Sequence, residues 1–161
     1  MAKVKKINKL FFIGIDPGKI GGISIIDKNR KVRLSQEMPL TSDRDVDIQH
    51  LSYLINLSGE LFCCVEKSQP MPKQGVRSVF SYGKHYGQII GLLKLTNTPF
   101  QEIPPTKWKK EFSLDNKKYK SIMMAEQLFP GERFLTPRMR YMDGKAESLL
   151  LAEYARRIYN A

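Results

Sequence analysis

Thiol and imidazole are scarce in this chain of 161 residues, which holds two cysteines (Cys63, Cys64) and two histidines (His50, His85). The cysteines are adjacent in an apolar run. Neighbours on a strand point to opposite faces, which argues against a disulfide between them. Without Cys or His at metal-finger spacing, no zinc site is expected. Long apolar stretches are missing as well, so no membrane span is expected. The opening Met1-Ala2-Lys3-Val4-Lys5-Lys6 lacks the apolar centre of a signal peptide. These absences point to an intracellular, cytoplasmic protein. Acid is also in short supply, 16 Asp and Glu against 27 Lys and Arg, for a net charge of +11. That excess implies an anionic partner, most commonly nucleic acid.

What is present is organised around Leu10-Phe11-Phe12-Ile13-Gly14-Ile15-Asp16-Pro17-Gly18. A buried strand ends there on a carboxylate, and Pro17-Gly18 allows a tight reversal. Strands are expected over residues 7–16, 21–27 and 31–38, as an antiparallel meander. A helix follows the capping-rich 41–47, carried by Val46, Leu51, Leu54, Ile55 and Leu57 and ended by Gly59. Leu61-Phe62-Cys63-Cys64-Val65 is a second buried strand ending on an acid, Glu66. After a loop over 67–76, a long helix is expected over 78–96. In it Gly83, Gly87 and Gly91 stack on one face, at about 1 kcal/mol each relative to alanine. Packing within the domain is the first explanation for that stripe, and dimerisation the second. A strand over 100–103 precedes a short helix over 106–112, capped by Thr106. A longer helix over 117–129 turns Ile122, Met123, Ala125, Leu128 and Phe129 inward. The loop 130–142, with Arg133, Arg138 and Arg140, reads as basic and mobile. A last helix over 143–159 turns Ala146, Leu149, Leu150, Ala152, Tyr154 and Ile158 inward or partly buries them. The order defines an α/β layer fold: an antiparallel three-strand meander extended by parallel strands, with helices packed on this mixed sheet. One domain over 1–161 is expected, with 1–9 (Lys3, Lys5, Lys6, Lys9) as a flexible basic arm.

Asp143 and Glu147 stand i, i+4 at the start of the last helix and share a face. Alone, they read as acids favoured by the helix dipole, and Glu66 alone as a surface acid beside Lys67. Together with Asp16 they make a different pattern. If the two acid-ended strands are parallel neighbours, both carboxylates fall at one sheet edge. The last helix can then add its pair. Four acids gathered in so basic a chain call for divalent cations, and hard oxygen donors without Cys or His favour Mg²⁺ or Mn²⁺. Two such ions about 4 Å apart activate a water and stabilise a leaving 3′ oxygen, the chemistry of a metal-dependent nuclease.

Gly14-Ile15-Asp16-Pro17-Gly18, Val65-Glu66-Lys67 and Asp143-Gly144-Lys145-Ala146-Glu147-Ser148-Leu149-Leu150-Leu151-Ala152 resemble the RuvC-type Holliday-junction resolvases, nearest to their phage and organellar branch. The likeness extends through Met71-Pro72-Lys73-Gln74-Gly75-Val76, Tyr82-Gly83-Lys84-His85-Tyr86-Gly87 and Pro104-Pro105-Thr106-Lys107-Trp108-Lys109-Lys110. It implies an RNase H-like fold and a homodimer that nicks opposed strands of a four-way junction symmetrically with Mg²⁺. It makes Asp16, Glu66, Asp143 and Glu147 the metal ligands and catalytic acids. Glu147 follows the phage-type spacing, where bacterial members carry an aspartate one residue earlier. The junction wedge, a phenylalanine in some bacterial members, falls here to Met71 or a later residue. The resemblance also favours a bacterial or phage-infected cell, with an organelle left open, and no small-molecule cofactor.

Phosphate contacts are expected from Lys107, Lys109 and Lys110, from Lys117, Lys118 and Lys120, and from Lys73, Arg77, Arg138 and Arg140. Resolvases of this type place one lysine near the scissile phosphate; Lys118 is assigned that role, with Lys107 as the other candidate. Trp108 reads as a core anchor rather than a base-stacking platform, and His50 and His85 as surface or structural. Two alternatives stay open: a broader nuclease of the same fold acting on forks, flaps or RNA–DNA hybrids, and a non-catalytic junction-binding protein. A sugar-kinase-like ATPase also opens on an acidic Gly-rich turn, but such enzymes are much longer and not so basic.

Overall fold

The computed structural model describes residues 10–57, 59–67, 69–70 and 73–159. The basic arm expected at 1–9 and the wedge candidate Met71 lie outside the described residues. β1 (Leu10–Asp16), β2 (Gly22–Asp27) and β3 (Val32–Glu37) are the meander. Then come α1 (Ile48–Asn56), β4 (Glu60–Glu66), α2 (Val76–Leu95) and β5 (Phe100–Ile103). The chain continues through α3 (Pro105–Glu111), α4 (Lys118–Leu128) and α5 (Asp143–Tyr159). The five strands form one mixed sheet in the order β3-β2-β1-β4-β5. β1 is antiparallel to β2 and parallel to β4, and β5 is parallel to β4.

Strand periodicity divides the core into two. On one face Ile13, Ile15, Cys63 and Val65 pack with Leu51 and Ile55 of α1 and Ile89, Leu92 and Leu93 of α2. On the other, Phe12 and Cys64 pack with Trp108, Ile122 and Ala125 and the buried side of α5. The two cysteines therefore sit in different cores, as free thiols. Asp16 lies two and four residues beyond Gly14 and Phe12, and Glu66 two beyond Cys64. Alternation thus puts both acids on the α5 face.

That helix is buried along most of its length because it rests on glycine. A Cβ on Gly14 would lie 2.0 Å from the Ser148 carbonyl oxygen and 2.3 Å from the Ala152 amide nitrogen. One on Gly144 would lie 2.1 Å from the Ile20 carbonyl oxygen. Ser24 and Ser148 hydroxyls bond across this seam at 2.8 Å, and Ser24 also donates to Ser35 at 3.0 Å.

Several expectations need correction. Thr106 does not cap α3: Pro104 occupies the cap position and Pro105 the first turn, where a missing N–H costs nothing. Met123 is 61% exposed, because the buried side of α4 runs through Ser121, Ile122 and Ala125. Leu57 follows α1 and is exposed. The glycine stripe of α2 is not packed against the described residues, since a Cβ on Gly83, Gly87 or Gly91 would meet nothing within 4 Å among them. The loop 130–142 is tied down at two points. Leu135 and Tyr141 form a bridge, and the Arg140 guanidinium donates to both carboxylate oxygens of Glu37, at 2.8 and 2.7 Å.

Candidate active site

Parallel pairing of β1 and β4 in the register Ile15 to Val65 delivers Asp16 and Glu66 side by side at the carboxyl ends of the central strands. The first turns of α5 cross the same edge, because Gly144 seats the helix against the Gly21–Gly22 backbone. Asp143 and Glu147 follow from that seating.

The four acids differ in what holds them. The fully buried Trp108 donates its indole Nε1–H to Glu66 Oε2 at 2.8 Å. Glu147, itself buried, accepts from the Ser121 hydroxyl at 3.0 Å on Oε1. The Lys109 ammonium lies 3.2 Å from that same oxygen. Lys118 is paired with Asp143 Oδ2. Asp16 has neither an ion pair nor a side-chain hydrogen bond to any described residue.

The electrostatics follow this division. Burial, and then the charges of Glu66, Glu147 and Asp143, push the Asp16 carboxyl well above the usual carboxylate range, with Lys109 opposing. Burial also raises Glu66, against the Trp108 hydrogen bond, while Glu147 adds to the rise. The hydrogen bond to Asp143 raises Lys118. Asp16 thus feels all three other acids, and four carboxyl groups face two lysines at this edge of a basic protein.

Among the described residues, no three acidic, histidine or cysteine side chains close around one point as a ready-made metal cage. Two lysines and an indole each hold one acid on its own partner. The donor set nonetheless fits a hard divalent cation: every donor is a carboxylate oxygen, and Asp16 lacks a counter-charge of its own.

The ten expected phosphate contacts divide into two sets. Lys109 and Lys118 are engaged at the site, Lys120 pairs with Asp115, and Arg140 with Glu37. Lys73, Arg77, Lys107, Lys110, Lys117 and Arg138 are exposed and carry no ion pair to a described residue. Of the two lysines considered for the reacting phosphate, Lys118 reaches an acid of the site and Lys107 does not.

Sequence reasoning missed Ser121, Lys109 as a partner of Glu147, and the polar role of Trp108. A lone hydroxyl four residues before Ala125 on an otherwise apolar helix face was the available signal for Ser121. For Lys109 it was adjacency to a tryptophan that had to be buried. His85 is buried with its Nε2 2.5 Å from Asp45 Oδ1, a structural contact as expected.

The five-stranded mixed sheet with its first three strands antiparallel, two further parallel strands and helices on both faces is the RNase H-like fold. Two solved structures share it over nearly their whole length. One is T. thermophilus RuvC in complex with Holliday junction substrate, with a TM-score of 0.65 and 16% identity, covering 94% of this chain and 96% of that one. The other is a Thermus thermophilus RuvC structure, at 0.60 and 15%, covering 91% and 96%. No family model and no curated protein sequence matches the chain. Among the described residues, no helix is long and apolar enough to cross a membrane.

Proposed function

We propose that this protein is a structure-selective endodeoxyribonuclease that resolves four-way DNA junctions by paired, symmetric hydrolysis of phosphodiester bonds, using Mg²⁺ or Mn²⁺. The observation that carries this is the convergence of Asp16 and Glu66, at the ends of paired parallel strands, with Asp143 and Glu147 of α5 at one sheet edge. There burial and the three other acids raise the Asp16 carboxyl. Support comes from the similarity to a RuvC bound to junction DNA. Asp16, Glu66, Asp143 and Glu147 would hold the metal. When bound, the metal supplies an activated water and stabilises the leaving 3′ oxygen. Lys118 and Lys109 keep two ammonium charges at the edge where the scissile phosphate would lie, placed to offset charge developing in the transition state. Lys73, Arg77, Lys107, Lys110, Lys117 and Arg138 serve as sequence-independent backbone contacts, with affinity that falls as salt rises.

The test is cleavage of a mobile four-way junction in Mg²⁺ and in EDTA, beside a linear duplex and a replication fork. The expected result is paired nicks at equivalent positions in opposed strands, lost in EDTA. Equal cutting of the fork would make this a broader branched-DNA nuclease. Binding without cutting would make it a junction-binding protein.

Symmetric nicking requires two copies, and we propose that α2 joins them. Its exposed stripe of Gly83, Gly87 and Gly91 runs between exposed Val76 and Phe80 at one end and Leu95 at the other. Three glycines in one helix interior carry a standing cost that a close helix–helix approach would justify. Gly87→Ala separates the two effects. Within one chain the added methyl meets nothing, so the isolated fold should gain about 1 kcal/mol of helix propensity. The same methyl should weaken the dimer. Sedimentation velocity across a dilution series, with melting curves at each concentration, reads both. An unchanged dimer would place the interface elsewhere.

A further inference from the structure

Trp108 is the sole tryptophan of the chain and is fully buried in the core beneath α5. For filling that space alone, a phenylalanine or leucine serves without introducing a polar atom. Indole brings one N–H donor and no acceptor, so its buried nitrogen needs an acceptor. That acceptor is Glu66 Oε2, at 2.8 Å. The bond occupies one oxygen of the carboxylate and leaves Oε1 without a protein donor among the described residues.

The next residue completes the arrangement. Lys109 Nζ stands 5.3 Å from the centroid of the Trp108 ring, within cation–π range, and 3.2 Å from Glu147 Oε1. Two adjacent residues of α3 therefore reach two different acids, one through a fixed aromatic donor and one through a flexible ammonium. Pro104 and Pro105 fix where this helix begins, directly after β5, and β5 is hydrogen-bonded to β4 up to Glu66 itself. The path from Trp108 to Glu66 thus runs through rigid elements at both ends, whereas Lys109 reaches Glu147 along four rotatable bonds.

We infer that Trp108 is a positioning residue for the candidate metal site: its indole N–H fixes the Glu66 carboxylate through Oε2 so that Oε1 is the oxygen presented to a divalent cation. This rests on the proposal that the four acids bind metal. Donors that orient a metal-bound carboxylate have a measurable share in affinity, typically about 10- to 100-fold.

The experiment is calorimetric titration of the full chain with Mn²⁺ alone, comparing wild type, Trp108→Phe and Phe129→Leu, with a melting curve for each. Phe129→Leu is a volume cut in the same core at a side chain that has no hydrogen bond to give. The expected result is Mn²⁺ affinity reduced about tenfold or more by Trp108→Phe and unchanged by Phe129→Leu. Equal affinity in wild type and Trp108→Phe would overturn the positioning role and leave the metal site standing. A wild type that binds no Mn²⁺ would overturn both. Should Trp108→Phe fail to fold, the wild type decides through its single indole. Mg²⁺ at concentrations that saturate the calorimetric signal should change the Trp108 emission spectrum, and an unchanged spectrum would overturn the inference.

Discussion

Asp16→Asn is expected to lower junction cleavage by about 1,000-fold, the scale of losing one preorganised charge-stabilising group, while making the metal-free protein more stable near neutral pH. Both effects follow from one property. Burial and three acidic neighbours hold the Asp16 carboxyl well above the value it has in the unfolded chain. Below about pH 4 it is protonated in both states, and asparagine changes little. As pH rises from there through the folded-state value, the folded protein binds this proton more tightly than the unfolded chain does, so stability falls across that window. Above it the charged carboxylate is a full liability, which asparagine removes. Each 1 kcal/mol relieved appears as about 2–4 °C in melting temperature for a chain of this size. Melting curves in EDTA at pH 4 and pH 8, with cleavage assayed in Mg²⁺, check the pair. A gain of the same size at both pH values would show that the change is not electrostatic. Wild-type activity in Asp16→Asn would remove Asp16 from the chemistry.

Gly14→Ala should have the largest effect on the fold. Its methyl would sit 2.0 Å from the Ser148 carbonyl oxygen and 2.3 Å from the Ala152 amide nitrogen, backbone atoms of a helix packed on the sheet. Neither a rotamer change nor a flexible side chain relieves that overlap. Either α5 lifts from the sheet or β1 distorts. Overpacking of cores usually costs about 1–3 kcal/mol, and backbone against backbone should exceed it, at about 4 kcal/mol or more. Urea unfolding measures the loss. Any folded remainder should also cut poorly, because a displaced α5 carries Asp143 and Glu147 away from Asp16 and Glu66. A loss below about 1 kcal/mol would mean that the seam is far more compliant than its distances indicate.

Much of this arrangement was legible in the residues. Apolar runs broken by Pro-Gly, Lys-Asn-Arg and Gly marked the strands, and a carboxylate ending two of them placed Asp16 and Glu66 together once those strands paired in parallel. The i, i+4 spacing of Asp143 and Glu147 fixed their common face. What was not legible depends on tertiary partners. A lysine has the same local pattern whether it points to solvent, as Lys107 and Lys110 do, or turns onto a buried acid, as Lys109 does. Trp108 announced its burial through its size, but nothing in the sequence says which acceptor its nitrogen finds. The glycines of α2 signalled a close approach without naming the neighbour, and the described residues supply none. Arg140 read as a free cation in a loop because Glu37, its partner, lies 103 residues away.

Helix α5 is the last of the described elements in chain order, yet it packs against β1, β2 and β4 in the middle of the sheet and brings two of the four acids. Chains leave the ribosome from the N-terminus, at about 5–20 residues per second. The strands therefore emerge with one face bare, and Asp16 and Glu66 precede Asp143 by more than 70 residues of synthesis. A nascent chain has half of the acidic set and no seam to assemble the rest. A product broken off before α5 would lack Asp143 and Glu147, so its Asp16 and Glu66 would stand without the rest of the acidic set.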